Sequence, residues 1–308
     1  MKSSSVILAA FLGQLVSMAG EPRVAILGDS ITYSGRWPAL LESALRTAPA
    51  FTDAEIVNFG LASETVSGLS EPGHAGGKFP RPDLHERLGR ILEAFKPTHV
   101  LACYGMNDGI YLPLDETRQK AFQEGMARLK AAAEKQGAKF AAVTAPLYDA
   151  DRAAQGPQGY DAVLDAQAAW LAAQGGWHVI DVRSDLRVAI TAEKKTDPGF
   201  VYASDKVHPG QRGHDFIAAS VARQIWPLWH LPGKPALADG KALSILETRA
   251  GILKHAWLSK TGHTRPGVPA GLSLEAAQQR AAELLRGYHA LLSNPESQTL
   301  NKCNVAQP

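Results

Sequence analysis

Two short segments far apart in the chain hold residue types that could together cleave an acyl bond. The first is Gly28-Asp29-Ser30-Ile31-Thr32, which follows directly on an apolar, β-rich run. A strand delivering its carboxyl end there would leave Ser30 at the edge of a sheet, near the start of the next helix. A serine in that place can cap the helix or, given a base, act as a nucleophile. The second segment is Asp205-Lys206-Val207-His208-Pro209-Gly210, in which a carboxylate and an imidazole lie three residues apart in a turn. One loop can bring both to the serine. The imidazole takes the hydroxyl proton, and the carboxylate fixes its tautomer and stabilises the imidazolium that forms. Ser30, Asp205 and His208 are therefore a candidate triad; taken alone, the second segment also reads as a surface turn with Pro209 opening a helix. Thr32 stands where a Gly-x-Ser-x-Gly elbow would end, so the common α/β-hydrolase arrangement is disfavoured.

The elements around these segments must hold them together. Apolar, β-rich runs recur at 23–27, 55–59, 98–104, 139–145 and 177–182. Segments with apolar residues at helical spacing lie between them, at 37–46, 84–95, 116–136 and 160–174, with another at 211–226. Such alternation predicts a five-stranded parallel sheet with helices on both faces, a three-layer α/β/α sandwich of flavodoxin-like architecture. Ligands of such sheets sit beyond the strands' carboxyl ends. After Pro232 the pattern changes to a Gly- and Pro-containing linker and then two amphipathic helices. One carries Leu243, Leu246, Ala250, Leu253 and Trp257; the other carries Leu274, Ala277, Ala281, Leu284, Tyr288 and Leu291. A helical hairpin packed on the main domain and a dimerisation element both fit this pattern.

With a third motif, Gly105-Met106-Asn107-Asp108, placed between the first two, the chain resembles the SGNH/GDSL hydrolase superfamily from Gly28 to His208. The resemblance implies a serine that attacks an ester carbonyl. It also implies an oxyanion hole made by the Ser30 backbone N–H and the Asn107 side-chain amide, with Asp29 and Asp108 as structural hydrogen-bond partners. The family places a glycine donor a few residues after its second strand. Here Ser63 aligns with it in Asn58-Phe59-Gly60-Leu61-Ala62-Ser63, and Gly60 is the alternative. Only a backbone N–H is needed, so Ser63 serves if its backbone conformation is accessible to a residue with a Cβ.

Other features narrow the function. The formal charge of +2 across 308 residues, about +1 without Lys2, offers no basic footprint for nucleic acid. Gly73-His74-Ala75-Gly76-Gly77-Lys78 lacks the spacing of a phosphate-cradling loop and is followed by Phe79. It reads as a loop that either lines the pocket with His74 or makes an ordinary surface excursion. His214 lies six residues beyond His208, which is not metal-ligand spacing, so no metal and no cofactor is expected. Cys103 lies within an apolar run, and with Cys303 it makes poor material for a disulfide framework.

Residues 1–19, with Lys2, an apolar run and Ser17-Met18-Ala19, have the layout of a secretory signal, and the apolar run is shorter than a bilayer span; an uncleaved membrane anchor or an apolar tail without function is the alternative reading. A hydrolase domain is then expected over 20–232, a helical extension over 240–293 and a flexible tail over 294–308. The expected protein is a secreted or periplasmic serine esterase with no membrane anchor. Its expected substrates are acyl, chiefly acetyl, esters of small molecules or oligosaccharides. A lysophospholipase or thioesterase of the same superfamily, or a secreted carbohydrate-binding protein without activity, are the competing readings. His263 and Arg265, in the loop between the two last helices, could reach over the sheet edge to a large substrate. The oligomeric state is not legible.

Overall fold

The computed structural model describes residues 20–149 and 159–293. The expected signal segment, the tail and Cys303 lie outside the described residues. Five parallel strands form one sheet in the order β2-β1-β3-β4-β5: β1 (Arg23–Gly28), β2 (Glu55–Asn58), β3 (His99–Cys103), β4 (Lys139–Val143) and β5 (Val179–Ile180). Period-two alternation sorts their side chains between two cores. Val24 and Ile26 join one hydrophobic cluster, and Ala25 and Leu27 the other.

The first cluster is closed by helices α1 (Ser30–Tyr33), α2 (Arg36–Leu45), α7 (Val182–Thr196) and α8 (Gln211–Leu228), through residues such as Ile31, Trp37, Leu41, Leu186, Ile217 and Ile225. The second is closed by α4 (Leu88–Phe95) and α5 (Glu116–Lys135). In α5, Phe122, Met126, Leu129 and Ala133 recur at steps of three and four on the buried face, and Asp115 caps the first turn by accepting from the Arg118 N–H at 2.9 Å. Helix α6 (Tyr160–Ala172) contributes to both clusters. One short helical turn, α3 (His74–Gly77), lies in the excursion after β2.

Two features depart from the sequence pattern. The fifth strand is two residues long, and Asp181, still extended, follows it as the cap of α7, accepting from the Arg183 N–H at 2.9 Å. Helix α7 itself escapes a search for apolar stripes, since Val182, Arg183 and Leu186 are its only buried residues.

The last two helices, α9 (Gly240–Thr261) and α10 (Leu274–Ser293), form a hairpin. Helix α9 packs against α2 and along the edge strand β2, and α10 packs on α9. The amino-terminal half of α9 gives Leu243 and Leu246 to the first cluster, and its carboxyl-terminal half gives Leu253 and Trp257 to the second. It therefore covers an edge that would otherwise present unpaired backbone. No helix among the described residues is long and apolar enough to cross a membrane.

Candidate active site

Strand β1 ends in Gly28, where space dictates the residue: a Cβ would collide with Thr32 Oγ1 and meet the Cys103 carbonyl oxygen at 2.8 Å. Asp29 then caps α1, its Oδ1 accepting from the Ile31 N–H at 2.9 Å. Ser30 becomes the first residue of that helix, so its own N–H is among those a helix start leaves unpaired.

A turn before α8 supplies the partners. The Gly210 N–H donates to the Tyr202 carbonyl (2.9 Å), and Lys206 takes a left-handed φ of 76°. Asp205 Oδ1 accepts from the backbone N–H groups of Val207 (3.0 Å) and His208 (2.8 Å), which leaves Oδ2 for His208 Nδ1 at 2.6 Å. The opposite ring nitrogen, Nε2, lies 2.8 Å from Ser30 Oγ. The structure thus joins serine, imidazole and carboxylate in one line. Burial pushes the Asp205 carboxyl upward, but hydrogen bonds from the His208 and Val207 N–H groups and the His208 side chain outweigh it and hold the carboxyl below its ordinary value.

The loops that follow β2 and β3 meet beside this line. Asn58 Nδ2 donates to the Thr32 carbonyl (2.8 Å), and the Leu61 N–H donates to that of Gly28 (2.9 Å). The Gly60 N–H is already engaged by Asn58 Oδ1 at 2.8 Å. The Ser63 N–H has no partner among the described residues, and Ser63 adopts φ 69°, the left-handed region that the aligned glycine would occupy freely. Gly105 opens the third motif at φ 131°, where a Cβ would meet Gln167 Oε1 at 2.5 Å. Asn107 Nδ2 then donates to the Glu64 carbonyl (3.1 Å), while Asn107 Oδ1 accepts from the Tyr111 hydroxyl (3.1 Å). Asp108 Oδ1 gathers the Val66 (2.9 Å) and Ser67 (2.8 Å) N–H groups and so ties the loop after β2 to the loop after β3.

Beneath these loops lie buried charges. Desolvation raises the Asp29 carboxyl to about 7, with a smaller contribution from neighbouring Asp108, and desolvation raises Asp108 to about 6. Glu64 and Arg87 are fully buried. Arg87 Nε donates to Glu64 Oε1 at 2.6 Å, its Nη2 donates to Glu64 Oε2 and the Phe59 carbonyl at 2.7 Å, and the Tyr104 hydroxyl donates to Glu64 Oε2 at 2.6 Å.

The remaining candidates sit farther out. His74 Nδ1 lies 3.0 Å from Glu71 Oε1, and its ring meets Phe79 edge-on. The Arg265 guanidinium lies over the Phe79 ring, 5.5 Å from its centroid, and burial holds the half-buried His263 imidazole below its ordinary value. The hairpin loop is therefore seated on the excursion around Phe79 rather than bonded to the triad. His214 is buried behind Ser34 (Nε2 to Oγ, 3.3 Å), where burial lowers it to about 4. The Cys103 thiol is buried and forms no disulfide among the described residues.

A parallel α/β sandwich carrying Ser, His and Asp at the carboxyl edge of its sheet defines a serine hydrolase of the non-elbow kind. The sequence profile of the GDSL-like Lipase/Acylhydrolase family matches residues 26–216, and the chain belongs to that family; it is a carboxylic ester hydrolase. No curated protein matches the sequence. Among solved structures, the chain is similar to the lipase/acylhydrolase from Enterococcus faecalis, with 22% identity, 70% of this chain and 100% of that one covered, and a TM-score of 0.48. It is also similar to a catalytic mutant of an acetylxylan esterase from Geobacillus stearothermophilus, with 19% identity, 67% and 94% covered, and a TM-score of 0.49. A gut microbial diltiazem-metabolizing enzyme matches at 19% identity over 64% of this chain, with a TM-score of 0.47. The chain spans 45% of that protein's length.

Proposed function

We propose that Ser30 is the nucleophile of an acyl esterase, with His208 as general base and acid and Asp205 as the group that orients it. The observation that carries this reading is the continuous line Asp205–His208–Ser30, at 2.6 and 2.8 Å. Such contacts let Nε2 take the Oγ proton as oxygen attacks the ester carbonyl, and return it to the departing alcohol. The negative oxygen of the tetrahedral intermediate is received by the Ser30 and Ser63 N–H groups and the Asn107 amide. Ser63 suits this role better than Gly60, whose N–H is spent on Asn58.

The substrates we propose are acetyl or other short acyl esters of carbohydrates outside the cytoplasm, the export resting on the leader-like residues 1–19. His74, His263 and Arg265 would meet only the outer part of a large substrate. One observation favours the second reading, hydrolysis of lipid or thioester acyl groups: Leu112 and Leu114 stand exposed shortly after Asn107.

The test compares wild type and Ser30→Ala on p-nitrophenyl esters of rising chain length and on acetylated oligosaccharides. Loss of kcat by several orders of magnitude in Ser30→Ala supports the nucleophile. Near-normal hydrolysis by that variant overturns it, and a preference for long acyl chains replaces the carbohydrate reading with the lipid one.

A further inference from the structure

Arg81 is a buried cation beside the site that the reaction as described does not use. It stands between Pro80 and Pro82, whose rings restrict the backbone on both sides, and its own N–H donates to Ser70 Oγ at 2.9 Å. Glu71 grips the guanidinium at two points, Nε to Oε2 at 2.6 Å and Nη2 to Oε1 at 2.7 Å. This fork fixes the plane of the group as well as its place. The charge is thereby matched inside the protein, so Arg81 is not a free anchor for an anionic substrate.

What the clamp leaves available points at both side-chain and backbone donors of the oxyanion hole. Nη1 reaches the Ser63 carbonyl at 3.4 Å, on the far side of the residue whose N–H is unpartnered. The same guanidinium lies over the Tyr111 ring, 5.3 Å from its centroid. Tyr111 in turn donates its hydroxyl to Asn107 Oδ1. That bond and the Glu64 carbonyl, which only accepts, together fix which end of the Asn107 amide is which, and one Nδ2 hydrogen remains free. Tyr111 and the preceding Ile110 both hold left-handed backbone, φ 55° and 46°. Two consecutive side-chain-bearing residues in that region cost energy that the surroundings must supply. The cation over the ring and the stack of Tyr111 on Tyr160, with centroids 4.9 Å apart, are contacts that oppose the strain.

We infer that Arg81, clamped by Glu71, is a positioning residue that sets two of the three oxyanion donors jointly: Ser63 through its carbonyl, and Asn107 through the ring and hydroxyl of Tyr111. The inference rests on the esterase reading above. In this role Arg81 acts by keeping two donors in place before charge develops, when any looseness is felt in the transition state and not in ground-state binding. Burial also holds the Tyr111 phenol well above its ordinary value, so it stays a donor across the working pH range.

The experiment measures kcat and KM for p-nitrophenyl acetate, with a thermal melt as the check on folding, in wild type, Arg81→Met, Tyr111→Phe, Asn107→Ala and the Tyr111→Phe/Asn107→Ala double variant. Arg81→Met lowers kcat about 10- to 100-fold while KM moves less than about threefold. Tyr111→Phe, which removes one oxygen and keeps the ring, lowers kcat about 5- to 10-fold in the wild-type background. It lowers kcat less than about twofold when Asn107 is already alanine, because its effect passes through that amide. The Tyr111 cycle keeps the test standing if Arg81→Met does not fold. Retention of kcat within about twofold in folded Arg81→Met overturns the inference, as does an equal cost of Tyr111→Phe in both backgrounds. Either result in an enzyme that still depends on Ser30 leaves the esterase reading intact. Activity that survives Ser30→Ala removes that reading first, and the inference with it.

Discussion

Replacing Arg87 by methionine tests how the loop that carries Ser63 is held. The perturbation removes a guanidinium 1% exposed from a carboxylate 0% exposed and leaves Glu64 with the Tyr104 hydroxyl as its remaining side-chain partner. It also strips the Phe59 carbonyl of the Arg87 hydrogen bond. Breaking one side of a buried ion pair costs about 3 to 5 kcal/mol, much of it the penalty of the charge left behind. At roughly 2 to 4 °C per kcal/mol, the melting temperature falls by about 10 °C.

The loss carries a pH signature. Burial already pushes the Glu64 carboxyl upward against the pull of Arg87, and without Arg87 it rises further. A carboxyl raised in the folded state contributes stability that is present at low pH and lost as pH rises through the raised value. Urea unfolding, followed by tryptophan fluorescence at pH 5 and pH 8, should therefore show the larger deficit at pH 8. Glu64→Gln in the Arg87→Met background should recover part of it, since the orphaned charge is then gone. A deficit below about 1 kcal/mol, or one equal at the two pH values, would refute the claim that an uncompensated buried charge drives the loss.

Three further outcomes follow from the site. Ser63→Gly should retain most activity, because the backbone donor survives in a residue at ease with φ 69°; Ser63→Pro, which has no N–H, should not, and full activity in both would remove Ser63 as a donor. Asn107→Ala should lower kcat about 10²- to 10³-fold with KM little changed, and a change confined to KM would make it a residue that positions substrate. Asp29, raised to about 7 by burial, should make the wild type lose about 3 kcal/mol of stability as pH climbs from 4 to 7. Asp29→Asn should flatten that slope, and parallel stability curves for the two proteins would contradict the assignment.

Much of this molecule could be read from one dimension because its strands announce themselves. The parallel sheet is buried on both faces, so its strands are nearly continuous apolar runs, and the residues following them fall at one edge. Ser30, Asp205 and His208 are candidates by type and spacing, singled out by the resemblance that the three motifs carry together, and the structure sets His208 within hydrogen-bonding distance of both Ser30 and Asp205. What escaped was polar. Helix α7 buries one narrow face, marked only by Val182, Leu186 and Ile190 at steps of four behind an Asp181 cap. Arg81, Glu71 and Tyr111 lie on irregular loops where no periodicity connects them, and their pairing exists only after folding. The one local signal for Arg81 was its place between two prolines. The preference proposed for Ser63 over Gly60 rests on an N–H already engaged, which depends on where Asn58 points.

Helix α9 belongs to both halves of the interior at once, and that shapes how the protein can be made. Neither hydrophobic cluster is complete until Leu246 and Trp257 arrive, 38 and 49 residues after His208 in the chain. A nascent chain that already holds Ser30, Asp205 and His208 still has two open cores and a bare β2 edge. Assembly should accordingly wait for the final helical pair, so that a chain ending between residues 216 and 240 carries every residue proposed to react and no finished interior to hold them.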